Sequence, residues 1–344
     1  MNKMKKLNSY GFSHDILAVF IVLIVAILGV GYLVASHADQ LPQTNQISLS
    51  KNTHQWTGWT NTGLGATNKT PSVIESSSPD LFDIYYSVHV APNPATLFHD
   101  LWNGTSWSEK AVIGGSQGDY QPATVSLENN IYLFSSNSVS GLNENIYNGQ
   151  TWSGWSVVPN TGVASYVSTA DINKNEFSLF AQKDAYQGTT KTAGIYQNIW
   201  NGSSWSGWQD LGGDGTQGIT AIYSKSGEGY LFATNSSDEI QENIFKNNQW
   251  SGWQSLNSNS TAAPATVILG KDLYLFAREQ NSSNYLNIWN GRSWSGWQDL
   301  GGTDYTPSDY EGILSGLTAT IYQKNNIALF SVGANAQIYQ DLFQ

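Results

Sequence analysis

The phrase NIWNGSSWSGWQDLGG, from Asn198 to Gly213, returns from Asn287 to Gly302 with fifteen of sixteen residues unchanged. Shorter copies stand at Trp56-Thr57-Gly58-Trp59, Trp152-Ser153-Gly154-Trp155 and Trp250-Ser251-Gly252-Trp253, and a worn one at Trp107-Ser108-Glu109-Lys110. The first tryptophans are 51, 45, 53, 45 and 44 residues apart. All 14 tryptophans lie in the motif or just upstream of it, at Trp102, Trp200 and Trp289. A period of about 40–50 residues belongs to propellers, solenoids and other arrays, so the repeat decides the fold before any local propensity does.

Each unit reads as four strands. After Trp205, apolar runs at 219–224, 230–234 and 240–246 are separated by Gly227, Gly229 and Ser236-Ser237-Asp238, and residues 249–256 carry the next motif. The following unit repeats the order at 264–269, 272–278, 285–290 and 293–300. The turn before the motif is Asn103-Gly104, Asn148-Gly149, Asn201-Gly202 or Asn290-Gly291. Asn-Gly tolerates the positive φ angles of a tight hairpin. A four-stranded antiparallel meander of this size cannot cover its own faces. Stacked radially, each sheet is covered by its neighbours, which is the propeller solution. The motif at Trp56 has no strands of its own unit before it. The C-terminal segment Ile338-Tyr339-Gln340-Asp341-Leu342-Phe343 matches Ile195-Tyr196-Gln197-Asn198-Ile199-Trp200 and stops where a motif strand should begin. The N-terminal strand fills that gap. The expected fold is all-β: a six-bladed propeller of four-stranded antiparallel blades closed by pairing of N- and C-terminal strands.

Composition adds exclusions. Beyond residue 38, 12 Lys and Arg face 25 Asp and Glu, a net charge of −13. An acidic surface repels phosphate backbones and argues against nucleic acid as a partner. Cysteine is absent, so no disulfide, thiolate metal site or cysteine nucleophile exists. Lys3, Lys5 and Lys6 precede an uncharged stretch, residues 16–34. As a helix it spans roughly 28 Å, close to a bilayer's hydrocarbon thickness. The lysines favour a cytoplasmic N-terminus with the bulk of the chain outside. Ser36-His37-Ala38 also fits a small-x-small cleavage site. Residues 1–38 are therefore read as a membrane anchor or a removed signal, 39–55 as a linker, and 56–344 as the propeller. The chain is expected at the cell membrane with the propeller outside, or secreted if the segment is cleaved.

The first tryptophan of each motif suits packing between blades, where a large ring buries much apolar area. The glycine permits a bulge or a close backbone approach. The second tryptophan (Trp59, Trp155, Trp208, Trp253, Trp297) is the candidate for function. A flat ring at a blade junction can stack on the apolar face of a sugar while nearby amides bond its hydroxyls. Asp100, Asn145, Asn198, Asn243, Asn287 and Asp341 recur in the third strand, two residues before an aromatic. They either bind a ligand, Asn198 and Asn287 foremost, or satisfy backbone groups in the sheet.

This motif, with its aromatic strand and Asn-Gly turn, resembles the PLL-like bacterial propeller lectins across residues 56–344. The copies at Trp205 and Trp294 match well. Trp152 is followed by Val157-Val158-Pro159 in place of the leucine-glycine turn, and Trp107 lacks the second tryptophan. The resemblance implies binding of fucose or related sugars in pockets between blades. Better-known members have seven blades. The six counted here are closer to the fungal-type fucose lectins. In many sugar-binding propellers an arginine grips the ligand, which makes Arg278 and Arg292, the chain's two arginines, candidates.

Enzyme readings fit poorly. Two arginines cannot form a sialidase cluster, and the repeat-equivalent Asp210 and Asp299 sit on separate blades rather than flanking one bond. His54, His89, His99 and Asp100 are the best polar cluster. Asp171-Ile172-Asn173-Lys174-Asn175 starts like a calcium loop but lacks its glycine and glutamate. No catalytic set, metal site or cofactor is expected. The favoured partner is a cell-surface glycan or glycoconjugate bound multivalently, with the membrane contacted through the N-terminal helix. The alternative is a protein–protein adhesion or scaffold propeller without a sugar site.

Overall fold

The computed structural model describes residues 55–344 apart from 66, 68, 77–81, 89–95, 109, 115–120, 138–140, 163, 188–189, 280–282, 303–314 and 334. The N-terminal helix and most of the linker read from the sequence lie outside these residues, as do His54 and His89. Among the described residues no helix is long and apolar enough to cross a membrane.

Residues Thr53–Gln344 form a compact unit of six antiparallel sheets in meander order, five with four strands and one with five. Blade 1 is Ser72–Glu75, Phe82–Val88, Thr96–Trp102 and Ala111–Val112. Blade 2 is Ala123–Leu127, Asn130–Asn137, Gly141–Tyr147 and Ser156–Val157. Blade 3 is Ala164–Asn173, Glu176–Gln187, Thr190–Trp200 and Gln209–Asp210. Blade 4 is Gly218–Tyr223, Gly229–Thr234 and Glu239–Lys246, with Gln249–Trp250 and Gln254–Asn259 sharing the outer position. Blade 5 is Ala265–Leu269, Asp272–Arg278, Ser283–Trp289 and Gln298–Gly302. Blade 6 takes Thr318–Tyr322, Asn326–Val332 and Ile338–Phe343 from the C-terminus and Thr60–Asn61 from the N-terminal end of the ring. That closing strand pairs Thr60 with Gln340 and Asn61 with Tyr339. The main-chain N–H groups of Gln55, Thr57 and Thr62 donate to the carbonyls of Gln344, Leu342 and Ile338. The expected six blades and the expected closure are both present.

A two-residue alternation in each second strand binds the ring together. Leu179 belongs to the apolar cluster shared with blade 2, and the next residue, Phe180, to the cluster shared with blade 4. Leu231 and Phe232 divide in the same way between blades 3 and 5, and Leu275 and Phe276 between blades 4 and 6. All six are 0% exposed. Successive strand side chains point to opposite faces, so one Leu-Phe pair serves two junctions. Blade 1 reads Ile84-Tyr85 instead, and the Tyr85 ring meets Trp152 of blade 2 edge-on.

Two local expectations need correction. The Asn-Gly segments are not two-residue turns. Trp200 bridges Trp205 across the four residues 201–204, and only the glycine has positive φ (Gly202, 87°). The Asn201 side chain holds the loop, its Oδ1 accepting from the N–H groups of Ser203 and Ser204 at 3.0 and 2.9 Å. The two-residue turn with both φ angles positive is Asn247-Asn248, at 53° and 61°. The motif strand is also not continuous. The motif glycine sits at positive φ in every full copy (Gly58 85°, Gly154 85°, Gly207 91°, Gly252 85°, Gly296 89°), which breaks the strand between the two tryptophans. Around these glycines a Cβ would meet nothing within 4 Å, so backbone conformation and not space requires glycine.

Candidate functional site

The motif's backbone break is held by the third strand. Asn198 Oδ1 accepts from Gly207 N at 3.0 Å and Ser206 Oγ at 3.3 Å. Asn243 does the same for Gly252 and Ser251, Asn287 for Gly296 and Ser295, and Asp341 for Gly58 and Thr57. These four side chains are between 1% and 5% exposed. The recurring amides thus satisfy backbone donors where the chain leaves the sheet. In blade 1, where the glycine is missing, Asp100 instead accepts from Tyr86 Oη at 2.8 Å. Burial raises the Asp100 carboxyl, and the Tyr86 hydrogen bond opposes this.

The two tryptophans of the motifs in blades 3 to 6 pack at the junction with the preceding blade. Trp205 packs edge-on against Phe177 and Phe134, and Trp208 joins the same cluster. Trp250 and Trp253 join the blade 3–4 cluster, Trp294 and Trp297 the blade 4–5 cluster, and Trp56 and Trp59 the blade 5–6 cluster. The second tryptophans are half-buried. Trp208 Nε1 donates to the Pro159 carbonyl at 3.1 Å, and Trp253 Nε1 to the Leu211 carbonyl at 2.9 Å. The indole nitrogens of Trp59 and Trp155 are buried with no acceptor among the described residues.

The surroundings differ from junction to junction. Beside Trp208, Lys183 Nζ lies 4.9 Å from the indole and 4.7 Å from the Tyr196 ring, and donates to the Asn160 carbonyl. Burial lowers the Lys183 amine, and the nearby Asp210 carboxylate pulls it back up. Asp210 also raises the Tyr196 hydroxyl, second to desolvation. The blade 2–3 junction therefore gathers two aromatic faces, a cation, a carboxylate and two backbone carbonyls. At the blade 6–1 junction Lys110 stands where other motifs have the second tryptophan, with its Nζ 3.7 Å over the Phe98 ring and 5.4 Å over Tyr86. The sequence reading missed both lysines. Lys110 was visible as the motif's lost tryptophan, but Lys183 lies on another strand with no periodic signal.

Arg278 is 1% exposed, and its Nη1 donates to the carbonyls of Ser315 and Val332 in blade 6, each at 3.2 Å. Arg292 is exposed on the turn after Ser283–Trp289. Asp210 and Asp299 each cap their own turn, accepting from Gly212 and Gly301. His99 stacks on Tyr85 at 4.7 Å and lies 3.6 Å from Asp83. No group of three or more His, Asp or Glu able to hold a metal occurs among the described residues. Down the ring axis runs a cavity of about 850 Å³ lined by first-strand residues, among them Ser72, Thr124, Thr169 and Thr266.

No family model matches the sequence, and no curated protein matches it. Solved structures do match the fold. Aleuria aurantia lectin, described as a six-bladed β-propeller with a novel fucose recognition mode, superposes with a TM-score of 0.62 at 15% identity, covering 79% of this chain and 91% of that one. A protein of unknown function from Dyadobacter fermentans DSM 18053 reaches 0.64 at 14% identity, covering 85% and 99%. SapL1 lectin, in complex with alpha methyl fucoside, reaches 0.51 at 15% identity, covering 77% and 93%. At these identities the likeness shows a shared propeller fold. The ring's six blades equal the number in the description of Aleuria aurantia lectin.

Proposed function

We propose that the propeller is a non-enzymatic carbohydrate-binding module with its ligands at the blade junctions. The observation that carries this reading is a half-exposed tryptophan at one place in five junctions of a fold shared with fucose-binding lectins. Trp59, Trp155, Trp208, Trp253 and Trp297 stack on the sugar. Asn198 and Asn287 hold the motif backbone that presents Trp208 and Trp297, and Arg278 fixes the blade 5–6 junction. Arg292 lies on a turn at the far side of the motif and contributes least. The blade 2–3 junction is the best equipped, because Lys183 and Asp210 can bond hydroxyls while Trp208 and Tyr196 offer ring faces. Several modest sites engaging one glycan-coated surface multiply each other's affinity. The uncharged stretch at 16–34 supports display outside the cytoplasmic membrane, and protease added to intact cells should then remove the propeller.

One observation favours the scaffold reading. The Trp208 and Trp253 N–H groups and the third-strand Asn oxygens are already bonded within the protein. A glycan array followed by calorimetry separates the two. Retention of a glycan class that weakens on Trp208→Ala, in a variant with unchanged circular dichroism, supports the lectin. No glycan bound at millimolar concentration by intact protein moves the assignment to a protein-binding scaffold.

A further inference from the structure

The ring has two unlike faces. One carries the turns between first and second strands and between third and fourth strands. On it, the four consecutive blades 3, 4, 5 and 6 each place one exposed lysine at the tip of the first turn: Lys174, Lys225, Lys271 and Lys324. Exposed Lys246 and Arg292 sit on the third-to-fourth turns of blades 4 and 5. Carboxylates on this sector are Asp171, Glu176, Glu228 and Asp272, and Glu228 is taken by Lys246 at 2.6 Å. Lys225 and Lys324 reach the mouth of the axial cavity. The opposite face holds Asp214, Asp238, Glu239 and Glu279 on its connections. Six of the 12 Lys and Arg beyond residue 38 thus lie on this one sector, while exposed Glu75 and Glu128 stand at the same end of blades 1 and 2.

The described chain also begins on the lysine face. Gln55 pairs with Gln344 there, at the same end of blade 6 as the Lys324 turn, since Trp56 bridges Phe343 and Phe343 pairs with Ile327. The chain therefore enters the ring from this face at Gln55. A strand of six residues spans about 20 Å. The Debye length in physiological salt is about 8 Å. A flat anionic surface touching the lysine tips therefore feels those cations, and the acids of the far face are screened from it.

We infer that this face rests on an anionic lipid surface, the outer leaflet of the membrane from which the N-terminal segment emerges. The inference rests on reading residues 16–34 as outward-displaying. Docking this way leaves the second tryptophans, which lie toward the middle of the strands and the far-face turns, open to an approaching glycan.

The test uses residues 39–344, which contain the whole closed ring, with sedimentation on vesicles of equal phosphatidylglycerol and phosphatidylcholine. The expected result is binding that falls steeply with salt, is absent on pure phosphatidylcholine, and weakens about tenfold or more when Lys174→Glu, Lys225→Glu and Lys271→Glu are combined. These exposed tips should leave the melting temperature unchanged, which checks the variant's fold. Absence of vesicle binding, equal binding to neutral vesicles, or binding unmoved by the three reversals overturns the inference. So does capture by soluble dextran sulfate without capture by vesicles, which would assign the face to a polymer. Orientation is read separately by the protease experiment, so failure of the anchor reading is distinguishable from failure of lipid docking.

Discussion

Gly213, on the turn that ends blade 3, lies beneath the Trp253 indole of blade 4, and a Cβ on this glycine would collide with the ring. Two blades meet here through a missing side chain. The Leu211 carbonyl on the same turn accepts the Trp253 N–H, so one short stretch supplies both the floor and the acceptor for the ring.

Gly213 and Gly207 should respond differently to alanine. Both have positive φ, at 76° and 91°. Only Gly213 faces an obstacle, since nothing lies within 4 Å of a Cβ at Gly207. Gly207→Ala should cost about 1–2 kcal/mol of backbone strain, and Gly213→Ala about 1–3 kcal/mol more for displacing the indole. Thermal unfolding of the two variants measures the gap, and equal losses would show that Trp253 moves freely.

Trp208 and Trp297 lie in near-identical phrases but should not bind sugar as one class. Lys183 stands over Trp208, and Glu279 takes the matching place four residues beyond Leu275, the partner of Asn287. Calorimetry should resolve two affinities, and Lys183→Met should change one of them alone. A single affinity unaffected by Lys183→Met would mean that the cation has no part in binding.

Arg278 should be a keystone of ring closure. Arg278→Ala removes two charge-assisted hydrogen bonds to blade 6 and leaves a hole, for a loss of about 3 kcal/mol. Arg278→Met, which keeps most of the volume, should lose less. Urea unfolding of both variants reads the difference. A near-neutral alanine variant would contradict the clamp.

The closing blade should carry a pH signature. Burial raises the Asp341 carboxyl above its usual value, outweighing the hydrogen bonds from Gly58 and Thr57. A raised acid binds its proton better in the folded state. It therefore withdraws stability as pH climbs from about 4, the unfolded value, through the raised folded value. Asn occupies the equivalent place in four other blades. Asp341→Asn should raise the melting temperature at pH 7 and match the wild type near pH 3. A variant less stable than wild type at pH 7 would show that the hydrogen bonds to the Asp341 carboxylate outweigh its burial.

Removing residues 338–344 should unfold the ring rather than trim it. Ile338–Phe343 is the strand onto which both Thr60–Asn61 and Asn326–Val332 pair. Without it two sheet edges open and the Trp56–Phe343 contact, with ring centroids 5.2 Å apart, is lost. A truncated chain that keeps a cooperative transition at the wild-type temperature would show that closure contributes little.

The tryptophan period, by itself, determined a great deal. Forty-odd residues with four apolar runs cannot bury two sheet faces alone, so repetition required radial stacking. The unmatched motif at Trp56 and the motif-less end at Phe343 then required each other. The recurring glycine between the two tryptophans was read as a bulge or a close approach, and the structure shows instead a break of the strand at positive φ with nothing packed against it. What the period could not convey is anything that one blade receives from another strand or another blade. Nothing in the phrase tells Trp208 from Trp297, because Lys183 comes from a different strand and the Pro159 carbonyl from a different sheet. The Asn-Gly pairs were read as two-residue turns, yet the Asn201 side chain holds a four-residue loop by accepting backbone N–H groups. Asn198 could have faced a ligand or the backbone, and the break at Gly207 decided it by exposing an N–H that needed an acceptor. Local spacing set the strands and the ring. Contacts between residues far apart in sequence decided what each tryptophan touches, because a propeller's sites lie between blades and no single repeat contains one.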